Sequence, residues 1–192
     1  MDNTENKELF LSTFRKNVQR PGAEKLLAWM ETTDFFTAPA STRFHAAYEG
    51  GLLDHSMNVY NVLISKHFDP ASDDIESFTI VSLLHDLCKA GFYKTELRNR
   101  KNDRGEWEKV PVYAVDDQFP YGHGEKSVFL IERFMRLKVE EAIAIRWHMG
   151  GFDDAARGGS FAINGAFERY PLAVKLHISD IEATYLMENT PH

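Results

Sequence analysis

His85 and Asp86 stand side by side in the run Ile80-Val81-Ser82-Leu83-Leu84-His85-Asp86-Leu87-Cys88-Lys89. An apolar helical run gains nothing from burying an imidazole and a carboxylate unless partners compensate their desolvation. A metal ion is such a partner. Four more candidate donors share the chain: His55 lies thirty residues upstream, and His123, His148 and Asp180 follow downstream. Neutral imidazole nitrogen and carboxylate oxygen suit Mn, Fe, Co, Ni or Zn, and Mg can join through the carboxylates. Clustered thiolates, the mark of a structural zinc site, are absent, since Cys88 is the single cysteine. An aspartate has two oxygens, so Asp86 can sit between one ion held by His55, His85 and Asp180 and another held by His123 and His148. Two such cations lower the pKa of a bridging water and neutralise charge on a phosphoryl group.

Helices must carry most of these donors. Leu9, Phe10, Phe14 and Val18 recur at helical spacing over residues 5–18, and Pro21 opens a second helix with Leu26, Leu27, Trp29 and Met30. Together, residues 1–37 read as an N-terminal helical flap. Residues 38–51, ending in Gly50-Gly51, read as a loop that delivers a helix from Leu52 to His67 and with it His55. After the break at Pro70, Ser72 and Asp73, a helix from Ile75 is apolar all round and is expected at the centre. Continued through the pair, that helix places Lys89, three residues after Asp86, on the same face.

The character changes over residues 92–121, an insertion in which Asn102-Asp103-Arg104-Gly105 separates two strand-like runs. We expect a β-hairpin over about residues 93–114 with Gly105 in the turn. Helical patterning returns over 125–136 and 139–149, where Gly150-Gly151 forms a stop. Residues 151–165 read as a Gly-rich loop, and Pro171 opens a last helix carrying His177 and Asp180 to about Met187. The metal-binding core is thus residues 38–187, within one domain spanning 1–192.

Composition bounds the partners. With 22 basic and 29 acidic residues the formal charge is −7, so no global positive field recruits long nucleic acid or an anionic membrane. A lone cysteine provides no disulfide framework and favours a reducing compartment, so cytoplasm is the expectation. The polar N-terminus lacks the apolar core of a signal peptide, and no stretch reaches membrane-spanning length.

In order and spacing, these residues resemble the HD-domain superfamily: His55 in Gly50-Gly51-Leu52-Leu53-Asp54-His55, the pair in Leu83-Leu84-His85-Asp86, His123 in Gly122-His123-Gly124, His148 in Arg146-Trp147-His148, and Asp180 after Ser179. The resemblance covers about residues 40–187. It implies an all-α HD-domain helical bundle with the hairpin as an insertion, and two divalent metal ions held by His55, His85, Asp86, His123, His148 and Asp180. It further implies a metal-dependent phosphohydrolase or phosphodiesterase that uses a metal-activated water on a small phosphorylated substrate, a nucleotide or short nucleotide-derived phosphoester. Asp86 and Lys89 are the candidate catalytic residues, Lys89 either meeting a phosphate oxygen or only stabilising a helix C-terminus. The same ligand pattern also occurs in HD-fold di-iron oxygenases that cleave a carbon bond in a small polyol or phosphonate.

Several residues carry two readings. Arg43 and His45, ahead of Gly50-Gly51, are possible substrate contacts at the mouth of the site, or positioning and surface groups. His177 is either a satisfied core histidine or support for a ligand, and Glu125 either favours a helix N-terminus or orients His123. Residues 98–109 carry five cations against three anions. The hairpin is therefore either a lid for a phosphate tail or a charge-guarded edge that Trp107 and Tyr113 pack onto the core.

Overall fold

The computed structural model describes residues 3–188, so the first two residues of the expected N-terminal flap, and the last four of the chain, lie outside the described residues. Helix α1 spans Asn3–Asn17 and α2 Ala23–Met30. Phe10 and Phe14, one helical turn apart, and Leu26, Leu27 and Met30 are fully buried. They join the same apolar core as the later helices, so the flap is a wall of the bundle. The second helix starts two residues after Pro21, because Gly22 takes φ +94° and a Cβ there would sit 1.8 Å from the Phe134 carbonyl oxygen. The link between α1 and α2 is anchored by Arg20, which is bonded to Glu141 at 2.7 and 2.9 Å and to Glu76 at 3.0 Å. Since Ser77 also donates to Glu141, this buried carboxylate keeps its partners.

Helices α3 (Gly51–His67) and α4 (Ile75–Leu84) form the middle of the bundle. Asp74 caps α4 by accepting from the Glu76 and Ser77 amides, and every residue from Ser77 to Leu84 is buried. Helix α4 contacts α1, α3, and the later helices α6 (Val139–Trp147) and α9 (Pro171–Glu182), which is the central position its all-round apolar pattern requires.

The expected continuous helix through Lys89 does not form. Helix α4 ends at Leu84, Asp86 turns to φ −100° and ψ +20°, and Leu87–Lys89 make a single 3₁₀ turn. In a regular helix adjacent residues diverge by about 100° around the axis. The break lets His85 and Asp86 face one site.

Strands β1 (Tyr93–Lys101) and β2 (Trp107–Val115) pair antiparallel from Tyr93↔Val115 to Lys101↔Trp107. Gly105 takes φ +79° in the turn, and Asn102 Oδ1 accepts from the Arg104 and Glu106 amides. The hairpin is inserted between α4 and α5 (His123–Glu132) and is largely exposed. Trp107 is 69% exposed beneath the Lys101 ammonium, so it does not pack the hairpin onto the core.

The chain between α6 and α9 is more ordered than a Gly-rich loop. Gly150–Phe152 form a 3₁₀ turn, and α7 (Asp154–Arg157) is capped by Asp153, which accepts from the Ala155 and Ala156 amides. Helix α8 covers Ala162–Arg169. After α9 the chain continues as a π-helical turn, Ala183–Met187, that delivers Glu188. Among the described residues, no helix is long and apolar enough to cross a membrane. The architecture is a helical bundle with a small inserted antiparallel hairpin, matching an HD fold with an inserted element.

Candidate metal centre

Helix ends position most of the site. His85 and His148 are the residues immediately after α4 and α6, and His123 is the first residue of α5. His55 lies on the second turn of α3 and Asp180 on the last turn of α9. Two close approaches set these elements. A Cβ on Gly51 would lie 2.0 Å from the Ala46 carbonyl oxygen, and one on Gly124 would lie 2.3 Å from the Arg146 carbonyl oxygen. Glycine therefore lets the starts of α3 and α5, each carrying a histidine, press against backbone.

The six donors converge. Asp86 Oδ1 lies 2.7 Å from His123 Nε2 and 3.5 Å from His148 Nε2, while Oδ2 lies 3.6 Å from both His55 Nε2 and His85 Nε2. His55 Nε2 is 3.3 Å from Asp180 Oδ1 and 3.2 Å from His85 Nε2. The two carboxylate oxygens of Asp86 thus face different groups of imidazoles. One group is His55 and His85 with Asp180; the other is His123 and His148.

Hydrogen bonds on the far ring nitrogens aim these imidazoles. His85 Nδ1 donates to the Ser82 carbonyl at 2.8 Å, His148 Nδ1 to the Ile145 carbonyl at 2.7 Å, and His55 Nδ1 to Glu188 Oε1 at 2.9 Å. Each bond puts a proton on Nδ1 and turns Nε2 toward Asp86. His148 Nε2 is buried with no hydrogen-bond partner among the described residues. A buried lone pair left in that state costs about 1–3 kcal/mol, which coordination to a cation relieves. This nitrogen is the test of fit for a divalent ion, and the donor set passes it.

Electrostatics agree. Burial alone disfavours the charged His55 ring, yet the Asp180 and Glu188 carboxylates overcome this and raise its pKa to about 10. Burial likewise opposes charge on His123, but Cys88 and Asp86 raise it to about 10. Without a metal, protons on these rings supply the positive charge that the carboxylates demand. Burial pushes His85 down to about 4, leaving it neutral. Asp86 and Asp180 are held far below the usual carboxylate range despite burial, by Lys89 and His85 for the first and by His55 for the second.

Lys89 is buried, and its ammonium lies 2.6 Å from Asp86 Oδ2. Its ammonium lies against the donor cluster and lines the cavity beside it. The donors open into a cavity of about 520 Å³ whose walls include Phe44, Phe92, Tyr93, Phe152 and Tyr185. His45 lines this cavity with its ring centroid 5.1 Å from that of His55, and burial lowers its pKa to about 4. Arg43 does not line it; the guanidinium sits exposed over Phe44, 5.0 Å from the ring centroid. His177 also lines the cavity, and its Nδ1 donates to the His148 carbonyl at 2.6 Å, so it steadies a ligand-bearing backbone. Glu125 pairs with Arg146 at 2.5 Å and leaves the orientation of His123 to others.

Two residues near the donors carried no sequence signal for this role. Cys88 Sγ approaches His123 Nδ1 at 3.4 Å, and Glu188 reaches His55 from 133 residues away. The pairing of Cys88 with His123 crosses 35 residues, and only the fold closes that gap.

The clustered His, Asp and Glu residues in an all-α fold are consistent with an HD-type two-metal motif. No family model, curated protein or solved structure matches this chain.

Proposed function

We propose that the protein is a metal-dependent phosphohydrolase or phosphodiesterase acting on a nucleotide or a short nucleotide-derived phosphoester. The donor cluster itself supports a metal-dependent hydrolase in general. What supports the narrower reading is the cavity beside the donors, about 520 Å³ in volume with Phe44, Phe92 and Phe152 among its walls and Asp86 in its lining. Two bound divalent ions would supply a hydroxide at neutral pH and charge stabilisation for a phosphoryl group.

The chain's own residues provide the rest. His55, His85 and Asp180 would hold one ion, His123 and His148 the other, and Asp86 would join the two. Phe44, Phe92 and Phe152 offer flat apolar surface for a base, and a cavity of about 520 Å³ suits a mononucleotide-sized ligand better than a polymer. Lys89, paired with Asp86 and on the cavity wall, would meet a phosphate oxygen. His45, on the cavity wall with its ring centroid 5.1 Å from that of His55, would hydrogen-bond the substrate.

The test is a screen of nucleotides, cyclic and linear dinucleotides and aryl phosphoesters with Mn, Co or Fe supplied, in air and under anaerobic conditions. Release of phosphate or nucleotide without oxygen is the expected result. Turnover that requires dioxygen and iron would replace this reading with the di-iron oxygenase.

A further inference from the structure

His55 is held differently from the other cluster histidines. His85 and His148 each donate Nδ1 to a carbonyl three residues earlier in their own helix, a neutral acceptor supplied by local structure. His123 Nδ1 faces a thiol. Among the described residues, His55 is the cluster histidine whose Nδ1 meets a carboxylate, and that carboxylate comes from the far end of the described chain.

Glu188 is built for this contact. Its side chain is 4% exposed, and Oε1 accepts both from His55 Nδ1 at 2.9 Å and from the Asn58 amide at 3.2 Å. Asn58 is three residues after His55, on the same face of α3. The other oxygen, Oε2, is buried without a hydrogen-bond partner among the described residues. A carboxylate buried at that cost is expected where its charge serves a neighbour. The π-helical turn at Ala183–Met187 redirects the chain after α9, and the Glu188 amide donates back to the Ala183 carbonyl. Asp180 and Glu188 therefore reach opposite nitrogens of one imidazole from a single terminal segment.

We propose that Glu188 is a positioning residue for the metal ion held by His55, His85 and Asp180. By accepting the Nδ1 proton it fixes the His55 tautomer and makes Nε2 a stronger donor, and it does so at one of the two ion positions only. The proposal rests on the metal-binding reading above. Carboxylates that orient a ligating histidine typically contribute about 10–100-fold in metal affinity.

The experiment is a titration of the full chain with Co(II), followed by calorimetry and by visible absorption, comparing wild type with Glu188→Gln and Glu188→Ala. Glutamine keeps an oxygen acceptor and the shape of the side chain but removes the charge. In the wild type two binding steps are expected. Glu188→Gln weakens one step by about 10-fold and Glu188→Ala by about 100-fold, with the absorption bands of that step altered and the other step unchanged. If either variant folds poorly, Asn58→Ala, which frees the carboxylate from its amide, weakens the same step by less. Unchanged affinity and absorption in both Glu188 variants overturn the proposal. So does equal weakening of both steps together with lower thermal stability before metal is added, because that pattern marks a segment that only docks. A wild type that takes up no Co(II) removes the metal-binding reading itself, a different failure.

Discussion

Around Asp86 each imidazole has a second contact that fixes its direction, whereas along the hairpin most side chains meet water. The two regions use their polar residues in opposite ways. In the bundle, burial makes every donor and acceptor costly to leave alone, so the rings of His85, His148 and His55 are each held in one orientation. In the hairpin, the cations Arg98, Arg100, Lys101 and Arg104 remain solvated, and the ladder from Tyr93 to Val115 is held by its own register. Geometry is specified where desolvation enforces it. The hairpin touches the site through its base, where Tyr93 and Val115 line the cavity. Burial raises the Tyr93 hydroxyl to about 12, so it stays protonated and donates to the Ala40 carbonyl at 3.1 Å.

Asp86→Ala is the strongest way to break the contrast from the bundle side. It takes away the group that faces both sets of imidazoles and strands Lys89 without its partner. Metal uptake and turnover fall to background while far-UV circular dichroism keeps its helical form; retained uptake of two ions would contradict the assignment.

Proton competition comes next. His55 and His123 carry pKa values raised to about 10, so each ion must displace a proton at neutral pH. Affinity at each position should rise about tenfold per pH unit between about pH 7 and 10 and level off above. Calorimetry in buffers of different ionisation heat reads the proton release directly. For folding, the sign follows from the same shifts. The raised His55 and His123 values stabilise the chain without metal below the unfolded histidine pKa of about 6.5, and this contribution fades as pH rises through 10. The depressed His85 value works the other way: its contribution is present above about 6.5 and is lost as pH falls through 4. Thermal melts across this range should show both limbs.

His177→Ala removes the ring that accepts no metal but holds the His148 carbonyl. A loss of about tenfold in metal affinity is expected, with a small change in stability. The smallest effect belongs to the hairpin. Trp107→Ala should change stability by less than about 0.5 kcal/mol and leave metal uptake intact, since the indole covers no core. A large drop in either would show that the hairpin is part of the metal architecture.

The same contrast explains what could be read in advance. His85 and Asp86 were conspicuous because polar types interrupt an apolar run, and the hairpin because turn residues separate two alternating strands. The end of α4 at Leu84 was hidden, since no glycine or proline marks it and the break serves the site instead of local propensity. The helical turns after Gly150 were masked by Gly158, Gly159 and Ser160, while the Asp153 cap that starts α7 is a single residue. Arg43, ahead of Gly50-Gly51, admits a cavity or a surface reading from sequence, and the surface one holds because its guanidinium lies exposed over Phe44. Glu188 had no local signature among 29 acidic residues, because its meaning depends on the segment after α9 crossing to α3.

Electron paramagnetic resonance of the Mn(II)-loaded protein tests the central claim most directly. If the two oxygens of Asp86 join two ions, the chain binds two Mn(II) and gives the spectrum of a magnetically coupled pair, which Asp86→Ala abolishes. A single ion per chain, or two with the spectrum of isolated ions, would contradict the shared carboxylate on which the account depends.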